Sequence, residues 1–299
     1  MRREQCRRPA AIASTRRRSP SLARGPSPTQ RHRPRYTSRP LPTLASIVIA
    51  ALAGGVVSTL LAGFSLALGP AWIPRLVSFA VGALLGAVFL ELVPHALEAG
   101  TAHEVMWVML AGLLAFFLLE KLVLWRHSHG HEHHDERLDE SEHDHALHDQ
   151  GRSGLMILIG NGVHNFCDGI VIAAAFLADS ALGLAATVAI VAHALPQQVG
   201  DFAVLVHSGY ARSRAFAVNV ATGLATLAGA LAAYFALSDM QQALPIVLAL
   251  AASSLLYVAV ADLIPSLHRR PEPLETAKQS LLIAAGIAVI AAVHALLQH

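Results

Sequence analysis

From residue 43 onward, apolar stretches recur at regular intervals, at about 43–68, 72–93, 103–125, 154–178, 182–206, 213–237, 242–265 and 278–297. Each has about the 20 residues that a helix needs to cross a bilayer core. The pattern predicts an all-α, polytopic membrane protein with eight transmembrane helices and both ends on one side. Three of these helices fall in 43–125 and five in 154–299, with a polar connection over 126–152. Basic residues set the orientation. Arg75, then Arg126, Arg137 and Arg152, then Arg212 and Arg214, then Arg269, Arg270 and Lys278 all fall in the odd-numbered connections, and the even-numbered ones have no Lys or Arg. The positive-inside rule then puts those loops in the cytoplasm and both termini outside. A cell (inner) membrane is the expected location.

Composition supports this class. The 299 residues are 54% hydrophobic and 14% charged, outside the range of an ordinary soluble domain. The net charge of +2 carries little information, because twelve of the 22 basic residues precede residue 40. Residues 1–41 form an Arg/Ser/Pro-rich tail expected to be disordered. Its composition fits an organelle transit peptide, and equally a translation start placed too far upstream. Cys6 and Cys167 offer no disulfide framework or CxxC site, and Cys167 reads as a small apolar filler. No phosphate loop, Ser-His-Asp arrangement or nucleic-acid module is found, so no nucleic-acid partner is expected.

Polar residues inside the spans are few. His164 and Asp168, four apart in span four, share a helix face. A carboxylate there is costly unless it faces a cavity and has a partner. Span five supplies one: His193 and Gln197 share another face, and Pro196 removes the helical bond to the carbonyl of Ala192. Unpaired backbone at that depth predicts an irregular, cavity-lining helix. Imidazole, amide and carboxylate together suit a borderline divalent cation such as zinc, with iron or manganese behind it. Ligands must be deprotonated, so acid weakens binding. Glu91 and His95 in span two are again four apart. With Gln198, Asp201 and Asp262 they are candidates for lining an ion path. His294 stands alone on an apolar helix and reads as a core or interfacial histidine.

The connection after span three interleaves eight histidines, His127, His129, His131, His133, His134, His143, His145 and His148, with eight acids. Such a tract binds divalent metal at several sites without fixed geometry, as a buffer or sensor.

These residues resemble the ZIP family (Zrt- and Irt-like proteins) of divalent-metal importers, in particular its branch with HNxxDG and HExPHExGD patterns. His164-Asn165-Phe166-Cys167-Asp168-Gly169 is similar to the first pattern. His193-Ala194-Leu195-Pro196-Gln197-Gln198-Val199-Gly200-Asp201 follows the second, with Ala194, Gln197 and Gln198 replacing Glu, His and Glu. Leu92 to Glu98 looks like LxPHAxE, and Leu256 to Pro265 looks like LYVALxDxxP. The resemblance implies a ZIP-type bundle with a pore between spans four and five, alternating access and a homodimer in the lipid bilayer. It places His164, Asn165, Asp168 and His193 at ligand positions, with Gln197 as a neutral amide ligand. Glu91 is a candidate second carboxylate, and the substitutions leave open one metal site or two. The expected function is cation transport into the cytoplasm, not enzyme catalysis. Two rivals remain: a membrane metal sensor without transport, and an intramembrane metal-dependent hydrolase. The hydrolase lacks a spare carboxylate beside the span-five histidine to serve as a general base.

Overall fold

A computed structural model describes residues 40–65, 72–128, 142–269 and 272–297, with side chains described for 42–63, 72–122, 159–269 and 272–297. Residues 1–39 of the Arg-rich tail, and His129, His131, His133 and His134, lie outside the described residues. His127, His143, His145 and His148 lie on described helical backbone, but their side chains are outside that set.

Among the described residues every regular element is helical. Eight helices are long and apolar enough to cross a membrane. They are α1 (Pro42–Gly63), α2 (Ile73–Ala99), α3 (Ala102–Leu122), α4 (Ile159–Ala178), α5 (Ser180–His207), α6 (Arg212–Leu237), α7 (Gln241–Leu267) and α8 (Pro273–Leu297). Helical backbone continues past α3 to Ser128 and begins ahead of α4 at Glu142.

Burial separates an inner group from an outer one. The most apolar windows of α2, α4 and α5 are 67%, 61% and 67% buried, against 17% for α3 and 11% for α8. The inner helices meet through small residues, among them Ala173, Ala174 and Ala175 on α4 and Ala185, Ala186 and Ala189 on α5. Close packing of this kind, rather than expulsion of water, holds helices together in lipid. α4 and α6 approach closely. A Cβ on Gly169 would strike the carbonyl of Thr226, and one on Gly229 would strike the carbonyl of Phe166. α3 lies against α7 at Ser253, whose hydroxyl is 3.0 Å from the carbonyl of Met109 and 2.8 Å from that of Ala249 on its own helix.

Three spans contain a π-helical turn: Ala53–Val57, Ala87–Leu92 and Val258–Leu263. The last two precede Pro94 and Pro265, and they contain Leu90 and Ala261, whose carbonyls a proline four residues on would crowd. The wider turn relieves that clash. Both place an acid, Glu91 or Asp262, three residues before the proline. At Pro196, where irregular backbone was expected, α5 stays α-helical from Ser180 to His207. One lost hydrogen bond does not break so long a helix.

Candidate metal centre

α4 and α5 form a hairpin with Asp179 as the joint. The Asp179 carboxylate accepts hydrogen bonds from the backbone of Ala181 at 2.7 Å and Leu182 at 3.2 Å, capping α5. This short connection keeps the two helices antiparallel and adjacent, so polar residues at matching depth face each other.

His164, Asp168 and His193 meet there. Asp168 Oδ2 lies 3.5 Å from His164 Nε2 and 3.3 Å from His193 Nε2, and the two ring nitrogens are 3.3 Å apart. Tetrahedral zinc, with bonds of about 2.0–2.2 Å, holds its ligand atoms roughly 3.3–3.6 Å from one another. The three edges fit one face of that tetrahedron. His193 Nδ1 donates to the carbonyl of Ala189 at 3.1 Å, so the neutral ring carries its lone pair on Nε2, inside the triangle. Asp168 Oδ1 is buried with no hydrogen-bond partner among the described residues. Two imidazole lone pairs and a carboxylate oxygen at these distances repel unless a proton or a cation sits between them. His164, 21% exposed, is the open edge, whereas Asp168 and His193 are sealed at 2% and 1%.

One turn away lies a layer of amides. Asn161 Oδ1 accepts from Asn165 Nδ2 at 3.0 Å and from Gln197 Nε2 at 3.1 Å. Asn161 Nδ2 donates to Asp201 Oδ2 at 2.6 Å and to Thr222 Oγ1 of α6 at 3.4 Å. Thr222 donates in turn to the carbonyl of Asn219 at 2.8 Å, and Asn219 Nδ2 donates to the carbonyl of Gln198 at 3.0 Å. Asn165, Gln197 and Asp201 are thus gathered beside the triangle, whereas the side-chain oxygen of Gln198 is buried without a hydrogen-bond partner among the described residues.

Glu91 and His95 do not meet through their side chains. His95 Nδ1 bonds the backbone carbonyl of Glu91 at 2.8 Å, and the Glu91 carboxylate, fully buried, lies 2.8 Å from His294 Nδ1 of α8. His294 is therefore not alone on its helix. Its partner lies far away in sequence, on a turn whose π geometry re-aims the side chain. Asp262 is exposed and within electrostatic reach of both His164 and His193. It is also near Glu120 of α3, which accepts a hydrogen bond from Tyr257.

Sequence reasoning passed over Asn161 and Glu120. Asn161 stands four residues before Asn165, so face-sharing alone would have included it. Glu120 is an acid inside an apolar span, a signal in its own right.

The family model described as ZIP Zinc transporter matches residues 41–294. Zinc transporter ZIP13 of Pongo abelii is 32% identical over 237 residues, covering 74% of this chain and 66% of its own. The ZIP13 homolog of Drosophila melanogaster is 30% identical over 277 residues, covering 75% and 78%. Zinc transporter ZIP4 of Homo sapiens is 32% identical over 252 residues, covering 66% and 39%. The chain therefore spans 66% of the Pongo abelii protein and well under half of human ZIP4. With the family's model matched from the first membrane helix into the eighth, this chain is a multi-pass integral membrane protein that belongs to the ZIP family.

Proposed function

We propose that the protein carries divalent metal cations across a membrane, zinc first, and that His164, Asp168 and His193 hold the ion in transit. The observation that carries this reading is the triangle of two Nε2 atoms and one carboxylate oxygen with edges of 3.3 to 3.5 Å, the spacing of zinc ligands. The relatives named zinc transporters agree with the choice of metal. Iron and manganese are secondary substrates, because the same donors accept them.

The ion sheds part of its hydration shell at the triangle, where one carboxylate and two neutral imidazoles replace water. Asn165 and Gln197 add neutral oxygens. A site with a single charge in its first shell binds weakly enough to release its cargo, as conduction requires. Asp262, with Glu120 close by, attracts the ion toward the end of the bundle bearing the Arg-containing loops, which is the cytoplasmic end. Glu91, His95, Gln198 and Asp201 line or support the same route, and the His-rich loop buffers the ion on arrival. The working unit is a homodimer in the bilayer of the cell membrane, with both termini outside.

Zinc entry into liposomes holding the purified protein and a trapped zinc dye tests this. Wild type and a form lacking the loop between α3 and α4 carry zinc, and Asp168→Ala does not. Absence of zinc, iron and manganese flux from a folded protein that still binds metal would overturn transport and leave a metal sensor as the better account.

A further inference from the structure

We infer that Asn161, locked by Asp201 and Thr222, is a positioning residue that turns the amide oxygens of Asn165 and Gln197 toward the ion. The inference rests on the reading of His164, Asp168 and His193 as the cation site. It follows from which ends of the amides can donate and which can only accept.

Thr222 spends its hydroxyl proton on the carbonyl of Asn219, so toward Asn161 it can only accept. The Asp201 carboxylate, 2.6 Å from Asn161, is likewise an acceptor. Both partners on that side of Asn161 thus demand a donor, and the side must be the NH2 end. The Oδ1 end is left facing Asn165 and Gln197, and an oxygen there obliges both of them to present N–H. Their own carbonyl oxygens then face away from Asn161. Along α4 and α5 that direction leads from Asn161 and Asp201 to Asp168 and His193. Neither oxygen accepts a hydrogen bond among the described residues.

The consequence concerns polarity. An amide presents a metal with either a ligand or a repelling N–H, depending on a half-turn about one bond. At Asn165 and Gln197 that choice is made by Asn161, which touches no ion, and Asp201 and Thr222 enforce it from its other side. Asp201 thereby acts on the ion through two intervening amides rather than as a ligand. It also explains how an uncharged glutamine at 197 serves in a cation site: its oxygen is held in the useful orientation before the ion arrives.

The test is cobalt(II) titration of the purified protein in detergent, reading affinity and visible absorption, with folding checked by size-exclusion profile and helical signal. The full chain is run beside the form lacking the loop between α3 and α4, so that cobalt held by the His-rich loop is told apart. Asn161→Leu should lower affinity roughly ten- to a hundredfold, the usual effect of losing an outer-sphere partner. It should also shift the absorption toward the stronger bands of four-coordinate cobalt as the amide oxygens leave. The exchanged pair Asn161→Asp with Asp201→Asn should restore both readings. In it the amide at 201 donates to the carboxylate at 161, which still accepts from Asn165 and Gln197, and the Thr222 hydroxyl turns its proton from the carbonyl of Asn219 to that carboxylate. If Asn161→Leu does not fold, Asp201→Leu with Thr222→Val takes its place, because with both acceptors gone nothing holds the NH2 end of Asn161 and affinity should fall. Unchanged affinity and spectrum in the folded variant, or no recovery in the folded exchanged pair, overturns the inference and leaves the cation site standing. Unchanged cobalt binding in His164→Ala overturns the cation site and the inference with it.

Discussion

Asp168 and Glu91 are both carboxylates sealed inside membrane-length helices, yet their surroundings differ. Asp168 sits on regular α-helix and receives two ring nitrogens, one from its own helix and one from α5 across a capped hairpin. Glu91 sits on a π turn and meets a single nitrogen, His294, on the most exposed of the eight spans. Burial of a charge is thus common to both, and by itself it does not mark the proposed ion site. What distinguishes Asp168 is the number of lone pairs converging on it from rigidly joined elements. Glu91 and His294 bring α2 and α8 to within 2.8 Å of each other at this one point, without the alignment of a hydrogen bond.

The sharpest way to break the comparison is Asp168→Asn, which keeps shape and removes the only anion of the triangle. Zinc flux into liposomes should fall to the level of protein-free vesicles; flux retained at half the wild-type rate would put the ion elsewhere. Next in size is Gly169→Ala, since the added methyl strikes the Thr226 carbonyl and pushes α4 off α6 beside the same acid. Overpacking of this kind costs about 1–3 kcal/mol. An unchanged thermal midpoint in detergent would contradict the close approach. Glu91→Gln should lower flux less than about tenfold, equivalent to about 1.4 kcal/mol and near the upper limit for one polar contact between membrane helices. Complete loss of flux would instead make Glu91 a ligand and erase the contrast. Smallest is His294→Ala, expected to cost about 0.6 kcal/mol of stability and leave transport intact. A loss of transport without a loss of stability would show that this histidine serves the ion.

Much of the molecule was legible beforehand, for identifiable reasons. Eight spans follow from runs of apolar residues, because lipid imposes one length on every helix that crosses it. His164 and Asp168 could be paired from spacing alone, and His193 could be nominated because a buried acid needs partners. Contacts set by tertiary placement were not legible. Nothing local connects Glu91 with His294, and the turn bearing Glu91 is π-helical, so counting by fours from Glu91 pointed to His95 instead. Proline was misleading in the same way. Pro196 drew attention, whereas backbone irregularity gathered ahead of Pro94 and Pro265. The ordering of the amides was likewise hidden, since it depends on where the hydroxyl of Thr222, on a third helix, sends its proton.

The π turn at Ala53–Val57 differs from the other two in having no proline after it to demand the extra width. Such a turn holds one residue more than an α turn. Deleting a residue from a membrane helix ordinarily rotates all that follows by about 100°, turning lipid-facing side chains inward. Here the surplus absorbs the loss. Taking out Ala53, Val56 or Val57 would restore plain α geometry while the segments on either side keep their faces. The first span is thus built with slack of one residue, and alleles shortened there should insert and fold where the same deletion in α5 would not.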